Sequence, residues 1–428
     1  MKDTAKIPDG LGELIVSPKA YASQNKLLAC FRWLRSRNPV GLVEVEEFDP
    51  FWAITKHADI LEVSRQHDLF HNGERATALI PRASDRTARA LTGGSPHPIR
   101  TIVHMDAPDH TKYRRVTQAW FTPQKVKTLE QRIRAIARGS IERMAAHGEA
   151  CDFVRDVALH FPLRVMMEIL GVPAEDESLM LRFTQDLFGT ENELLGRPST
   201  ACVEPDRHAK QLFKVFANFQ AYFAQLADAR RKAPRDDLIS VIANAEIDGK
   251  PIGCFEATSY FVILATAGHD TVASSTSGAI WALCENPAEL RKIRRAPGHI
   301  ANLVEEAVRW TTPVQHFMRT AAADTELRGR PIGKGDWLML CYLSGNRDED
   351  AFERPQRFCV DRNLPRNVAF GHGAHVCLGQ HLARLEMSIF FEELFARLAG
   401  IELAGEPRRS ASIFVGGPVA LPIRFKIN

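Results

Sequence analysis

The sequence predicts a mainly α-helical protein with small β-sheets. Its longest helical pattern, residues 255–283, is apolar nearly all round at its centre, which is typical of a helix buried in a large protein. Amphipathic spacing, with apolar residues three and four apart, recurs over residues 127–144 and 161–170. Strand-like stretches are short, and the first two, residues 40–45 and 51–55, flank a polar turn. The expected architecture is therefore a set of helices around one buried helix, with a few short strands.

The other elements follow in chain order. Helices are predicted over residues 27–34 and 58–70. Residues 71–99 are rich in Arg, Ser, Gly and Pro and predict a long loop, a kind of segment that tends to be functional in compact domains. The remaining predictions are helical runs around a loop over 183–219, a hairpin within 320–341 and an irregular stretch over 346–363.

Composition argues against several classes of function. The 428 residues contain no repeat and no Gly/Ser-rich or Pro-rich linker, so we expect one domain over residues 1–428. With 55 basic and 52 acidic residues the net charge is +3, which does not suggest binding to nucleic acid or to an anionic membrane. The N-terminus lacks the features of a secretory signal, and no apolar stretch reaches about 18 residues, so no membrane span is predicted. Eight scattered cysteines without a disulfide framework suit a reducing cytoplasm, and we expect a cytoplasmic monomer.

Residues 370–379 read FGHGAHVCLG and place Cys377 in a glycine-punctuated loop directly before a helical pattern. The free amides of a helix start and the positive end of its dipole favour a thiolate over a thiol. Gly371, Gly373 and Gly379 have no Cβ, so the loop can turn sharply and lie close against a flat object. A large planar ligand whose central metal takes an axial sulfur needs this arrangement, and haem is such a ligand.

Two other interpretations of this loop remain open. A lone cysteine is often a small buried hydrophobic residue. Alternatively, His372, His375 and Cys377 could belong to a zinc site, although a closed site needs a fourth ligand and no paired C-x-x-C lies nearby.

Polar residues interrupt the apolar centre of the helix predicted over residues 255–283. A glycine inside a helix costs about 1 kcal/mol relative to alanine, and a buried carboxylate costs more unless it is paired, so Gly268 and Asp270 together suggest a site. Gly268 permits a bulge or kink that opens space for a small ligand. Thr271 offers a hydroxyl that can donate to bound dioxygen, and Asp270 can relay protons to it. The alternative is a helix interrupted for packing, with Asp270 paired to a lysine or arginine, and the two interpretations are compatible.

Two further pairs have helical spacing. His110 and Arg114 are four apart and share a helix face, where they can clamp an anionic group such as a haem propionate. In isolation they would be read as surface residues. Glu306 and Arg309 are three apart, which predicts an ion pair within one helix.

Together these motifs resemble those of the cytochrome P450 family, in the order that the family has them. They are His110-x-x-x-Arg114, the AGHDT stretch ending at Thr271, Glu306-x-x-Arg309, the RF of the meander at 357–358, and Phe370-x-x-Gly373-x-x-x-Cys377-x-Gly379. The resemblance covers essentially the whole chain. It implies the family's fold, with haem b (iron protoporphyrin IX) between the long central helix and the cysteine loop with its following helix, called I and L in the family. Cys377 would be the axial ligand of the haem iron.

The resemblance also implies a role for each motif residue. Asp270 and Thr271 would be catalytic, although the second threonine common after this motif is Val272 here. Glu306, Arg309 and, from the meander, Arg357 would form a structural set that holds the cysteine loop. The residues expected at the cofactor are His110, Arg114, Gly268, Arg319, Phe370, His375, Cys377 and Gly379, of which His110, Arg114, Arg319 and His375 would face the propionates.

The activity implied by the family is monooxygenation, in which one oxygen atom of O2 enters a C–H bond. The expected pocket is apolar and suits a small hydrophobic substrate. Stretches such as TPVQHFMRTA are similar to bacterial P450s that hydroxylate the monoterpene alcohol terpineol, so a monoterpenoid or alkyl-aromatic substrate is expected. The residues expected to line this pocket are Leu264, Ala267, Val314, Phe317, Ile413, Phe414 and Val415.

Electrons are expected from a separate protein, because no G-x-G-x-x-G fingerprint follows a predicted strand. Bacterial members of the family use an iron–sulfur ferredoxin with its reductase, and Lys112, Arg115 and Arg384 could face such an acidic partner. Three alternatives stay open: a haem-thiolate peroxygenase or dehydratase, a haem-binding or gas sensor, and acyl transfer by Cys377.

Overall fold

The computed structural model describes residues 5–188, 205–363 and 366–428, and their side chains except those of 188 and 205–212. Helices dominate these residues. In chain order they are α1 (Asp9–Val16), α2 (Pro18–Ser23), α3 (Asn25–Arg37), α4 (His57–Arg65), α5 (Arg82–Thr92), α6 (Asp109–Gln118), α7 (Pro123–Lys127), α8 (Glu130–Ala146), α9 (Phe161–Leu170), α10 (Glu177–Phe188), α11 (Pro205–Lys232), α12 (Leu238–Ala243), α13 (Cys254–Ala267), α14 (Asp270–Glu285), α15 (Pro287–Arg295), α16 (Ile300–Thr311), α17 (Tyr342–Gly345) and α18 (Gln380–Arg397).

The strands are short and form small sheets. The largest sheet has the order β1-β2-β10-β7-β3, in which β10 runs parallel to β2 and antiparallel to β7. A three-stranded sheet, β11-β14-β4, joins the C-terminal strand to the first half of the chain. The strands are β1 (Val40–Val43), β2 (Phe51–Ile54), β3 (Phe70–His71), β4 (Ala150–Asp152), β5 (Glu246–Ile247), β6 (Lys250–Pro251), β7 (His316–Ala321), β8 (Thr325–Leu327), β9 (Arg330–Ile332), β10 (Trp337–Cys341), β11 (Leu398–Leu403), β12 (Arg408–Arg409), β13 (Pro418–Ala420) and β14 (Pro422–Ile427).

The central helix is buried, as its composition predicts, and it belongs to the largest hydrophobic core. Phe261 of α13 stacks on Phe223 of α11 with ring centroids 5.0 Å apart. Phe161 of α9 packs against Phe390 of α18, also at 5.0 Å. All four rings belong to one continuous cluster of buried residues. The helices on both sides of the candidate site are therefore tied into the same core.

Several local predictions are confirmed, and two are wrong in part. Helix α9 spans the predicted residues, and β1 and β2 lie within the two predicted strands. The helix predicted over 58–70 ends at Arg65, and its last residue belongs to β3. The segment predicted as a loop over 71–99 contains α5, whose polar and apolar residues have helical spacing although none of them is buried. The loop predicted within 183–219 includes residues 189–204, which lie outside the described residues.

The structure also bears on the expectations from composition. None of the helices in the described ranges combines the length and the apolar character needed to traverse a bilayer. Seven cysteines are described, and all seven are free thiols.

Candidate active site

A cavity of about 1210 Å³ lies between the central helix and the cysteine loop. Residues of α13 and α14 line it, as does the loop that precedes α18. The structure thus brings together residues that the sequence assigned separately to catalysis, cofactor and substrate. They are His110, Arg114, Leu264, Ala267, Gly268, Asp270, Thr271, Val314, Phe317, Arg319, Phe370, His375, Cys377, Gly379, Ile413, Phe414 and Val415.

The cysteine loop is held in a turn that requires glycine at two positions. Gly371 and Gly373 both have a φ of 69°, in the left-handed region that favours glycine. A Cβ on Gly373 would also collide with the backbone carbonyl of Ser64. The amide of Cys377 donates to the carbonyl of Phe370 at 2.7 Å, which closes the loop. The sulfur is therefore presented to the cavity by a fixed backbone.

The side chain of Cys377 is exposed towards the cavity, and opposing effects act on its thiol. Desolvation by the surrounding atoms raises its pKa, whereas the Gly379 amide, Arg114 and Arg384 lower it. The expectation that the helix start favours a thiolate stays a prediction, because desolvation and the nearby donors change the pKa in opposite directions. A metal ion bound to the sulfur would favour the thiolate, since a coordinating thiol loses its proton.

Two histidines of the expected propionate site are neutral and lie against each other. The rings of His110 and His375 have centroids 4.1 Å apart. Burial lowers the pKa of both, that of His110 to about 4, and nearby arginines lower them further. The Nε2 atom of His110 is buried and has no hydrogen-bond partner among the described residues. A polar group at this nitrogen would satisfy it.

Two arginines bring uncompensated positive charge to the same cavity. Arg114 donates to the carbonyl of Val376 at 2.7 Å, and Arg319 donates to that of Met318 at 2.8 Å. Burial lowers the pKa of both guanidinium groups, and neither has a carboxylate in ion-pair contact within the described part of the chain. Buried charges need a counter-charge. A ligand with two carboxylates fits this set, and haem carries two.

The central helix is broken where the sequence predicts a kink. Helix α13 ends at Ala267 and α14 begins at Asp270. A Cβ on Gly268 would lie 2.6 Å from the sulfur of Met166 in α9, so that helix approaches too closely for alanine. The Thr271 hydroxyl donates to the carbonyl of Ala267 across the break at 2.8 Å. A rotation about one single bond would turn this hydroxyl from the carbonyl towards the cavity.

The carboxylate of Asp270 is held by residues that the sequence did not single out. Its side chain is 14% exposed. Its Oδ1 atom accepts a hydrogen bond from Nε2 of Gln185 in α10 at 2.9 Å. Nδ1 of His269 lies 3.6 Å from the same oxygen. Gln185 is 85 residues away along the chain, so no local pattern could have joined it to Asp270.

The structural set does not line the cavity, and one of its members differs from the prediction. Glu306 and Arg309 are fully buried and joined by two contacts of 2.7 Å. The third side chain is that of Arg362, whose Nε lies 3.2 Å from Glu306, and not that of Arg357. Arg357 contributes its carbonyl, which accepts from Arg309 at 3.2 Å. The amide of Cys359 donates to Oε1 of Glu306 at 2.9 Å, so the backbone of the meander is attached to the same carboxylate.

Two distant segments form one apolar wall of the cavity. One follows α16 and the other lies near the C-terminus, and main-chain bonds join them. The amide of Gln315 donates to the carbonyl of Phe414 at 2.9 Å. A β-bridge pairs Val314 with Val415. Phe317 and Phe414 then pack edge to face with ring centroids 5.4 Å apart.

His316 fastens this wall to a third segment. It is fully buried, and its two ring nitrogens lie 2.8 Å from the carbonyl of Ile413 and 2.9 Å from the amide of Leu79. Nδ1 therefore carries the hydrogen, and Nε2 accepts. Burial lowers the pKa of His316 to about 4, so the ring is neutral near pH 7.

One buried acid at the cavity was missed in the sequence. Glu386 of α18 lines the cavity and is 1% exposed. Burial raises its pKa well above the usual value, because desolvation disfavours the charged carboxylate. The sequence did contain a signal for this residue. Glu386 lies four residues after Leu382 and next to Met387, on the apolar side of α18, where a glutamate is unexpected.

Two of the three basic side chains expected to face a redox partner are already paired within the chain. Arg384 pairs with Glu305, and Lys112 pairs with Asp248. Arg115 is exposed. In addition, no group of three His, Cys, Asp or Glu side chains in the described ranges could hold a metal ion, so the zinc alternative at the cysteine loop lacks a site.

Comparison with known proteins places these features in a family. The sequence profile described as Cytochrome P450 matches residues 300–401. The chain is 44% identical to Cytochrome P450-terp of a Pseudomonas species, with 99% of each chain covered. It is 33% identical to linalool 8-monooxygenase of Pseudomonas putida, over 90% of this chain and 92% of that one. The crystal structure of CYP108D1 from Novosphingobium aromaticivorans is similar with a TM-score of 0.92 at 42% identity, over 99% of this chain and 100% of the other.

Proposed function

The chain belongs to the cytochrome P450 family and is a haem-dependent monooxygenase, and we propose that its substrate is a small hydrophobic molecule, a monoterpenoid or an alkyl-aromatic. One oxygen atom of O2 would be inserted into a C–H bond of this substrate. The observation that carries the proposal is the cavity, which has Cys377 in its wall, Thr271 on the broken helix, and an apolar lining between them. We further propose that residues 1–428 act as a single domain.

The chain's own residues fit the cofactor of this family. The sulfur of Cys377 would bind the iron, and the positive charges of the half-buried Arg114 and the buried Arg319 would be offset by the propionates. His110 and His375, both neutral, would add hydrogen bonds to the same groups. Bound haem supplies the site at which O2 binds and is activated. Gly268, Phe370 and Gly379 are proposed to border the ring.

Asp270 and Thr271 are proposed to deliver protons. The Thr271 hydroxyl donates to Ala267 and can turn to donate into the cavity instead. Asp270, held by Gln185, can pass a proton to that hydroxyl. A substrate that fills the apolar cavity displaces bulk water, so protons would arrive through Asp270 and Thr271 and not from water in the cavity.

The test of this route is the fate of the electrons. Thr271→Ala is expected to keep haem and substrate binding but to lower the ratio of product to electrons consumed by about tenfold or more, because a positioned proton donor is lost. Thr271→Ser retains the hydroxyl and should stay close to the parent. Product, hydrogen peroxide and reduced nicotinamide are measured together, with ferredoxin and reductase present.

Two outcomes would contradict the proposal. An unchanged ratio in Thr271→Ala removes Thr271 from the proton route. Product formation that needs peroxide but neither O2 nor an electron donor would favour the peroxygenase alternative.

The proposed substrate class is supported by the apolar wall and by the similarity to linalool 8-monooxygenase. Monoterpenoids and alkylbenzenes are expected to shift the haem spin state at lower concentrations than steroids do. Phe317→Ala should weaken this binding about tenfold, because part of an aromatic contact surface is lost. Phe255→Ala is the matched control, since Phe255 is 49% exposed and does not line the cavity. Steroids binding best, or equal effects of the two variants, would refute the assignment.

Bacterial P450s of this class draw electrons from redox partners, and we propose an iron–sulfur ferredoxin with its reductase as the donors. The exposed Arg115 remains available to an acidic partner, whereas Lys112 and Arg384 are already paired. We also propose that the protein works in a reducing compartment, the cytoplasm, since the seven cysteines of the described residues are free thiols.

A further inference from the structure

His269 has a position that the cofactor and substrate sites do not explain. It lies between Gly268 and Asp270 in the break of the central helix and is fully buried. Its Nε2 atom is 2.7 Å from the carbonyl oxygen of Leu159. A carbonyl oxygen can only accept, so Nε2 carries the hydrogen. This bond fixes the tautomer and the orientation of the ring in the break.

The other ring nitrogen faces the carboxyl group of Asp270. Nδ1 of His269 lies 3.6 Å from Oδ1, within range of a charge interaction but too far for a hydrogen bond. Within the described residues, Nδ1 has no hydrogen-bond partner. If Nε2 holds the only hydrogen of the ring, Nδ1 presents a lone pair to the carboxylate. That contact is unfavourable in a buried site, because the low dielectric leaves the repulsion poorly screened.

We propose that His269 is a positioning residue for proton delivery, and that a small rotation of the Asp270 side chain brings its carboxyl group within hydrogen-bond distance of Nδ1, so that the two groups share one hydrogen. The inference rests on the proposed role of Asp270 in passing protons to Thr271. The shared hydrogen removes the repulsion and keeps the carboxyl group oriented beside Thr271. When the carboxyl group passes a proton towards the Thr271 hydroxyl, one proton from water replaces it, so the pair returns to its original state.

A purely structural role for His269 would use the other nitrogen. The Nε2 bond to Leu159 ties the helix break to the segment that follows the π-helical turn Val154–Ala158. Because the two roles use different nitrogens, substitutions can separate them. Glutamine can reach the Nε2 position and keep the Leu159 bond, but it has no polar atom at the Nδ1 position. Asparagine places a polar atom near the Nδ1 position and loses the Leu159 bond.

The first measurement is ¹⁵N NMR of histidine-labelled, haem-bound protein in its reduced, carbon monoxide-bound form, which is diamagnetic. His269→Gln identifies the resonances of this ring by their disappearance. We expect a hydrogen on Nε2 and an Nδ1 resonance that moves in Asp270→Ala. Asp270→Asn gives the same comparison if the alanine variant does not fold. An Nδ1 resonance that is the same in parent and variants would overturn the proposal without any measurement of activity.

The second measurement is the share of electrons lost to hydrogen peroxide. His269→Gln should keep the parent's fold and haem content but raise this share about tenfold, equivalent to about 1.4 kcal/mol in relative barriers. His269→Asn should raise it less, although it loses the Leu159 bond. The reverse order would make His269 a structural residue. Failure of the proposed proton route through Thr271 would give a different result. Thr271→Ala would then keep the parent's ratio of product to electrons consumed, whatever the NMR result for His269.

Discussion

Two sets of charged side chains in the interior of this protein differ in which groups neutralise their charge. In the set around Glu306, the carboxylate contacts both Arg309 and Arg362, and the other donors of Arg309 reach backbone carbonyls. In the set at the cavity, Arg114 and Arg319 meet no carboxylate within the described residues. We call the first the closed set, because its charges are paired within the chain. We call the second the open set, because the carboxylates of a ligand would complete it. We therefore expect the first set to serve folding and the second to serve cofactor binding.

Opening the closed set should have the largest effect on stability. Arg309→Leu leaves Glu306 buried with only part of its counter-charge, and breaking a buried pair in this way costs about 3 to 5 kcal/mol. The free energy of unfolding, measured in urea by circular dichroism, should fall by about that amount. Arg357→Leu is the control: its carbonyl remains, so the change should stay within about 0.5 kcal/mol. Equal losses in the two variants would mean that the side chain of Arg357 belongs to the set after all.

The hydrogen bonds of the buried His316 ring should make the stability of the protein depend on pH. The pKa of this ring in the folded protein is about 4, below the ordinary value of 6.5, because burial disfavours the charged ring. The stability from the neutral ring is therefore fully present above the ordinary pKa and is lost as the pH falls towards the folded value. At about 1.4 kcal/mol per pKa unit, the loss at pH 4 is up to about 3 kcal/mol.

The measurement is the free energy of unfolding between pH 7 and pH 4.5. His316→Gln should be less stable at pH 7 but should depend less on pH than the parent does. His147→Gln, at an exposed position, should keep the parent's slope. Parallel curves for the parent and His316→Gln would show that this ring does not control acid stability.

Removing a charge from the open set should change the haem-free protein least. Burial lowers the pKa of Arg319, so its charge is held at a free-energy cost in the absence of a ligand. Arg319→Leu should therefore be within about 1 kcal/mol of the parent, or more stable, when haem is removed. Haem affinity, measured by transfer to apomyoglobin, should nevertheless fall about tenfold or more, because a propionate loses a charged donor. A loss in the haem-free chain as large as that of Arg309→Leu would make the two sets alike.

The sequence predicted those features of the fold that depend on residues close together along the chain. Helix α9, the tight turn through Gly373 and the break at Gly268 all follow from spacing or composition within about ten residues. The fold class, the family and the haem cofactor expected from these motifs are confirmed. The proposed roles of the individual site residues stay predictions.

Contacts between distant segments could not be predicted in the same way. The side chain on Glu306 is that of Arg362 because the path of the meander decides which arginine arrives there. Gln185 reaches Asp270 from another helix. In both cases the deciding information lies in the packing of other parts of the chain. Helix α5 is different: it was missed because the Arg, Ser, Gly and Pro content of its segment indicated a loop, although its residues have helical spacing.

The wall that joins Gln315 to Phe414 has a consequence for the evolution of specificity. Its two segments are joined largely through main-chain amides and carbonyls and the β-bridge of Val314 with Val415. Exchanging the side chains of Val314, Phe317 or Val415 therefore leaves those bonds in place. Natural drift or laboratory redesign can reshape the pocket at these positions while the backbone frame stays as it is.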